Sequence, residues 1–118
     1  MIQMDRATIL VLEQNAALRE LIDQALRDSG SWVLSTNDPL EALEVVQRVR
    51  IDALIVGAQP ELRRRMLIAE LQSIQRDLHV VDVGAADDGL DALDRCTSLA
   101  APFALEDLCE AVALVSMR

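Results

Sequence analysis

Short, unbroken apolar runs alternate along the chain with longer segments of helical periodicity, and this alternation constrains the fold more than any other feature. Residues 8–12 read Thr-Ile-Leu-Val-Leu, and similar runs occupy residues 53–56 and 79–83. Such runs are typical of parallel strands that are covered on both faces. Weaker strand signals lie at residues 32–34 and 97–100. We therefore expect an α/β fold in which five parallel strands form a doubly wound sheet, with helices on both faces in a three-layer αβα arrangement.

Helical segments separate the predicted strands. Ser29-Gly30 provides a stop for the first helix, and Asp38-Pro39 provides an N-cap and a first-turn proline for the second. Residues 85–96 leave room for only a short or irregular fourth helix. The apolar positions that we expect to face the sheet recur at helical spacing. They are Leu18, Leu21, Ile22, Ala25, Leu26, Leu40, Leu43, Val46, Leu67, Leu71, Ile74, Leu105, Leu108, Val112 and Val115.

Size and charge limit the classes of function. With 118 residues, the chain is predicted to form one domain that spans residues 1–118. A formal net charge of −9 argues against nucleic-acid binding by this domain, because such binding needs a basic surface. No apolar run approaches the about 20 residues needed to cross a bilayer. No secretory signal is evident either. We therefore expect no membrane association and a cytoplasmic location.

Residue types that bind metals are present but are not arranged as a metal site. Cys96 and Cys109 lack the paired spacing of a zinc site, and the one histidine, His79, is remote in sequence from both. The aspartates within residues 87–94 lack the ligand spacing of a calcium loop. We therefore expect no metal site from these residues.

Four short motifs, taken in order, carry a resemblance to a known family. Residues 9–13 read Ile-Leu-Val-Leu-Glu, residues 18–21 read Leu-Arg-Glu-Leu, residues 41–43 read Glu-Ala-Leu, and residues 102–103 read Pro-Phe. In this order the motifs resemble the receiver domain of two-component response regulators, over essentially the whole chain. The resemblance implies a CheY-like, flavodoxin-like fold and a role in phosphorelay signal transduction.

The same resemblance indicates that the residues for phosphorylation are missing. In the family, an aspartate after the third strand accepts a phosphoryl group, an acidic pair after the first strand helps to hold magnesium, a hydroxyl ends the fourth strand, and a lysine precedes Pro-Phe. The cation is needed because the carboxylate and the phosphoryl group carry like charge. The matching positions here are Glu13, Gln14, Gly57, Gly84 and Ala101, and the chain contains no lysine. We therefore predict a degenerate receiver, or pseudo-receiver, that is not an enzyme, has no catalytic residue and no cofactor, and is poorly equipped to bind magnesium.

Asp82 interrupts the predicted fourth strand and is the candidate surrogate carboxylate. Strand alternation places it on the same face as Gly84, about 7 Å deeper. In one interpretation it is a structural residue bonded to a backbone donor or to Gln14; in the other it is a surrogate phosphoryl acceptor or a proton-sensing group. Asp52 opens the third strand, about 16 Å from the acceptor position, and is too far away to substitute.

Loss of the reactive groups leaves protein interaction as the predicted function. We expect a signalling module that binds a partner or dimerises independently of aspartyl phosphorylation. The last helix carries Glu106, Asp107 and Glu110, which are predicted to dock a basic surface. The resemblance implies a histidine kinase, an output domain, another regulator or a second copy as the partner. Two alternatives stay open. One is a phosphotransfer receiver with a surrogate acceptor. The other is a ligand-sensing domain that uses the vacated pocket, which is the space left at the strand ends by Gly57 and Gly84.

Overall fold

Strands and helices alternate through the chain, as the sequence pattern predicts. The structure is a computed structural model that describes residues 6–57, 61–83, 96–98 and 105–116. The strands are β1 (Thr8–Leu12), β2 (Trp32–Thr36), β3 (Ala53–Val56), β4 (His79–Asp82) and β5 (Cys96–Ser98). The helices are α1 (Ala16–Asp28), α2 (Pro39–Arg48), α3 (Glu61–Ile74) and α4 (Leu105–Ser116).

The strands pair in parallel in the order β2-β1-β3-β4-β5, and helices cover both faces of the sheet. Leu54 and Val56 of β3 belong to an apolar cluster with α2 and α3. Ala53 and Ile55, which alternate with them, belong to a second cluster with α1 and α4. The two clusters define a three-layer α/β fold of the flavodoxin-like type, with the sheet buried between helical layers.

Local sequence sets the ends of the first two helices. The side chain of Asn15 caps α1 by accepting the N–H of Leu18 at 2.9 Å. Gly30 follows the end of α1 with a φ of 97°, a left-handed conformation that glycine adopts without steric cost. Asp38 caps α2 by accepting the N–H of Leu40 at 3.0 Å. The predicted stop of α1 and the predicted N-cap of α2 are therefore confirmed.

Two leucines that the helical pattern places against the sheet are exposed instead. Leu21 is 57% exposed and Leu40 is 70% exposed. The buried side chains of α2 are Ala42 and Val46. Those of α1 are Ile22 and Leu26, which are also four residues apart. A helix turns about 100° per residue, so Leu40 lies about 200° around α2 from Ala42 and on the opposite side. The prediction that these two leucines face the sheet was wrong, because the buried stripe is narrower than the apolar pattern.

Strand boundaries differ from the prediction by one or two residues. β2 extends to Thr36 because Ser35 and Thr36 continue the pairing with β1. β4 ends at Asp82, although the N–H of Val83 still donates to the carbonyl of Val56 at 2.9 Å. The predicted short fourth helix and the aspartates of residues 87–94 lie outside the described residues. None of the helices in the described ranges combines the length and the apolar character that spanning a bilayer needs.

Candidate functional site

The carboxyl ends of β1 and β3 bring residues 13 and 57 side by side. Leu12 pairs in register with Val56, and the N–H of Gly57 donates to the carbonyl of Leu12 at 2.8 Å. In open parallel sheets, ligands bind beyond the carboxyl ends of the strands. This edge is therefore the candidate site, and the structure brings together two of the predicted site positions, Glu13 and Gly57.

Glu13 is buried at this edge, with 4% of its surface exposed. Its Oε2 accepts the N–H of Asn15 at 2.9 Å, and its own N–H donates to the carbonyl of Thr36 at 3.1 Å. The guanidinium of Arg19 donates to the carbonyl oxygen of Glu13 at 2.8 Å. A buried carboxylate needs a partner such as the N–H of Asn15, and the nearby start of α1 adds partial positive charge that favours an anion. The bond to Asn15 holds the carboxylate of Glu13, whereas the other two bonds hold its backbone.

The carboxylate of Glu13 occupies the space that a side chain on residue 57 would need. A Cβ added to Gly57 would lie 1.8 Å from Oε1 and 2.5 Å from Cδ of Glu13, far closer than non-bonded atoms approach. Gly57 does not have a positive φ; among the described glycines, Gly30 does. Glycine at position 57 is therefore explained by the close approach of Glu13, and not by a special backbone conformation.

Gln14, the second position of the expected acidic pair, is exposed and contacts a different loop. Its Nε2 donates to the carbonyl of Asn37 at 3.4 Å, just before α2. Across the described ranges, no group of three or more His, Cys, Asp or Glu side chains is placed to hold a metal ion. A divalent cation such as magnesium prefers several oxygen ligands in octahedral geometry. The described part of this edge supplies two buried carboxylates, those of Glu13 and Asp82, and they end different strands.

Asp82 is fully buried, with 0% of its surface exposed. It pairs in register with Val56 on one side and with Ser98 on the other. It follows Val80 by two residues, which places it on the sheet face that α2 and α3 cover. This burial separates the candidate surrogate carboxylate from solvent.

The remaining predicted positions divide into two groups. Gly84 and Ala101 lie outside the described residues. The acidic residues of α4 are exposed on the side of the helix away from the buried pair of Leu108 and Val112. We refer to these three residues as the acidic face of α4; they are Glu106, Asp107 and Glu110.

Sequence reasoning did not connect Glu13 with Gly57. It treated Glu13 as a longer form of a metal-binding aspartate and Gly57 as a vacated acceptor position. The register of β1 with β3 makes the two residues neighbours, and the longer side chain of one fills the space that the other leaves. A signal was present in the sequence. Compared with the family pattern, Glu13 is one methylene group longer and Gly57 lacks a side chain, and the two residues follow adjacent strands.

Comparison with known proteins agrees with this architecture. No protein-family model matches the chain. The response regulator MprA of Mycobacterium leprae is 36% identical over 107 residues, which cover 85% of this chain and 46% of that protein. MprA of Mycobacterium ulcerans is 35% identical over the same length and coverage. The chain thus spans about half the length of these relatives.

Solved structures with the same fold include a receiver domain and a chemotaxis protein. The receiver domain of a sensor histidine kinase from Pseudomonas aeruginosa, solved with magnesium in its active-site cleft, has a TM-score of 0.80 at 23% identity, covering 97% of this chain and 100% of that one. The chemotaxis protein CheY4 of Vibrio cholerae has a TM-score of 0.81 at 20% identity, covering 94% and 99%. The sheet order, the helices on both faces and the response-regulator relatives lead to one conclusion: this chain belongs to the receiver domains of two-component response regulators.

Proposed function

We propose that this receiver signals through protein contacts and no longer accepts a phosphoryl group after β3. The observation that carries this proposal is the Glu13 carboxylate placed 1.8 Å from a hypothetical Cβ on Gly57. The position of the nucleophile is filled by a carboxylate from a different strand. Because Glu13 is almost fully buried and bonded to the N–H of Asn15, it serves as a fixed part of the fold.

Three further features support the loss of phosphoryl transfer. Phosphoryl transfer to a carboxylate requires a cation to offset like charges, and Gln14 contributes a neutral amide directed at Asn37. The chain contains no lysine to contact a phosphorylated aspartate. Asp82, the candidate surrogate, is closed off from solvent. The filled position beside Gly57 also counts against a ligand bound in the vacated pocket.

The proposed output is a protein complex formed through the acidic face of α4. A cluster of exposed carboxylates attracts a basic partner and gives an association rate that falls with salt. We propose a histidine kinase, an output domain or another regulator as the partner, or a second copy of the chain. We place this activity in the cytoplasm, within a single domain of residues 1–118 that is not itself an enzyme.

Intact-mass measurement after incubation with magnesium and a small phosphodonor tests this proposal. We expect the mass to stay unchanged. A gain of one phosphoryl group would contradict the proposal, and the Asp82→Asn and Glu13→Gln variants would then identify the acceptor. A receiver domain with the complete acceptor site serves as the positive control under the same conditions.

A further inference from the structure

A cavity of about 340 Å³ lies near the amino ends of β3 and β4. Glu13 and Gly57 lie at the carboxyl ends of their strands, on the opposite side of the sheet along the strand direction. Residues 46–50, at the carboxyl end of α2, form one wall. Residues 75–77, in the turn between α3 and β4, form the other. The volume lies at the lower end of the range of about 300–1,000 Å³ that is usual for small-molecule sites.

The walls of this cavity are positively charged, although the whole chain is acidic. Arg48, Arg50 and Arg76 line it together with one acidic residue, Asp77, whereas the formal net charge of the chain is −9. The three arginines are exposed. Arg50 has a distant ion pair, with its Nε 3.8 Å from Oδ1 of Asp52 and its side chain 77% exposed. Such a pair is weak in water, so the guanidinium group of Arg50 keeps capacity to bind an anion.

Gln75 fixes the two walls relative to one another. Its Nε2 donates to the carbonyls of Val46 at 2.7 Å and Val49 at 2.6 Å, and its Oε1 accepts the N–H of Ile51 at 2.9 Å. The last carbonyls of a helix normally attract cations. Gln75 satisfies two such carbonyls at the end of α2, and the exposed Arg48, Arg50 and Arg76 line the cavity beside them.

We propose that this cavity binds a small polyanion that carries phosphate groups, independently of the proposed signalling function. Guanidinium groups recognise phosphate oxygens through two parallel hydrogen bonds, which a planar fork of N–H groups supplies. Three such groups, offset in part by Asp77 and Asp52, favour a ligand with more than one negative charge. Diphosphate, free or as part of a nucleotide, has the size and charge that match Arg48, Arg50 and Arg76.

The test is a titration of the isotope-labelled chain with inorganic diphosphate, followed by NMR of the backbone amides at low ionic strength. Equal ionic strength from sodium chloride is the solution control. We expect saturable shifts at residues 46–50 and 75–77. The Arg48→Gln/Arg76→Gln variant should bind at least about tenfold more weakly, because two charge-assisted contacts are lost.

Arg63→Gln is the matched charge control, since Arg63 is an exposed arginine of α3 that does not line the cavity. Diphosphate affinity should change little in this variant, and thermal melts of all variants should show that they remain folded. Unsaturable or dispersed shifts would overturn the proposal, as would an equal loss of affinity in Arg63→Gln. Tighter binding of citrate than of diphosphate would overturn the assignment to phosphate.

Discussion

Oε1 of Glu13 lies 1.8 Å from the point where a Cβ on Gly57 would stand, so these two residues share the space of one side chain. The contact joins the ends of two adjacent strands, β1 and β3. Any side chain at position 57 therefore requires the end of the Glu13 side chain to shift. The pair behaves as a unit in which the identity of one residue restricts the other.

Gly57→Ala should destabilise the protein by about 1 kcal/mol, the lower end of the usual cost of overpacking, because only the end of the flexible Glu13 side chain has to shift. In the Glu13→Ala background, the same substitution should cost much less, because the added methyl group then has space. Chemical denaturation of the four variants in a double-mutant cycle measures this coupling. An equal cost of Gly57→Ala in both backgrounds would show that the two side-chain positions are independent.

Ile22→Ala and Leu21→Ala should reduce the stability of the protein by very different amounts, although the two residues are adjacent in α1. Ile22 is 0% exposed and packs against the sheet, so its truncation should cost about 2–5 kcal/mol. Leu21 is 57% exposed, and its truncation should stay within about 1 kcal/mol. Thermal melts provide the comparison. Similar losses in both variants would contradict the narrow buried stripe of α1.

Gln75→Leu should destabilise the fold by about 2–3 kcal/mol. The substitution removes three hydrogen bonds, to Val46, Val49 and Ile51, at about 0.5–1.5 kcal/mol each. The matched control is Gln24→Leu, which removes an exposed side-chain bond to Asp28 and should change stability by less than about 1 kcal/mol. Urea denaturation of the two variants distinguishes a structural amide from a surface amide.

Arg27→Ala should expose the free edge of β2 and promote self-association. The backbone groups of Trp32 and Thr36 point toward β1 and pair with it. Backbone groups alternate in direction along a strand, so the carbonyl of Val33 points away from β1, and Arg27 donates to it at 2.9 Å. Arg27 also pairs with Asp23, which accepts the hydroxyl of Ser35. A charged side chain at a sheet edge hinders pairing with another chain.

Sedimentation equilibrium over a broad concentration range measures this effect. The wild-type chain and an Arg63→Ala control provide the reference for the loss of one positive charge. A greater tendency to associate in Arg27→Ala alone is the expected result. If the control associates equally, net charge and not the β2 edge governs self-association. If the wild-type chain already dimerises, the acidic face of α4 becomes the next region to substitute.

Glu106→Arg/Glu110→Arg should abolish binding of a basic partner while leaving the fold intact, because both residues are exposed. The partner is first captured with the wild-type chain and is then titrated at low and high salt. Affinity should fall with salt, since the contact is electrostatic. The Glu44→Arg variant, on exposed α2 surface, is the matched control and should keep most of the affinity. Salt-independent affinity would contradict the acidic face as the docking surface.

Much of the architecture follows from local sequence signals. Apolar runs long enough to be buried on both faces predict the parallel strands, and Gly30 and Asp38 mark helix ends through backbone geometry and capping. These signals act within a few residues, so they can be identified without knowledge of the rest of the fold. The width of the buried stripe of a helix cannot be identified from local signals. For that reason Leu21 and Leu40 were predicted to face the sheet but are exposed.

The sequence by itself determined that the chain contains no lysine and that residue 57, after the third apolar run, is a glycine, because these are matters of residue identity. Only the tertiary structure decided what lies beside this glycine. Residues 13 and 57 are 44 positions apart in the chain, and their contact depends on the register of β1 against β3. The arginines of residues 48, 50 and 76 come together in the same way, through the packing of two helix ends. Long-range packing, which no local pattern encodes, therefore turns an apparently vacant site into a filled one.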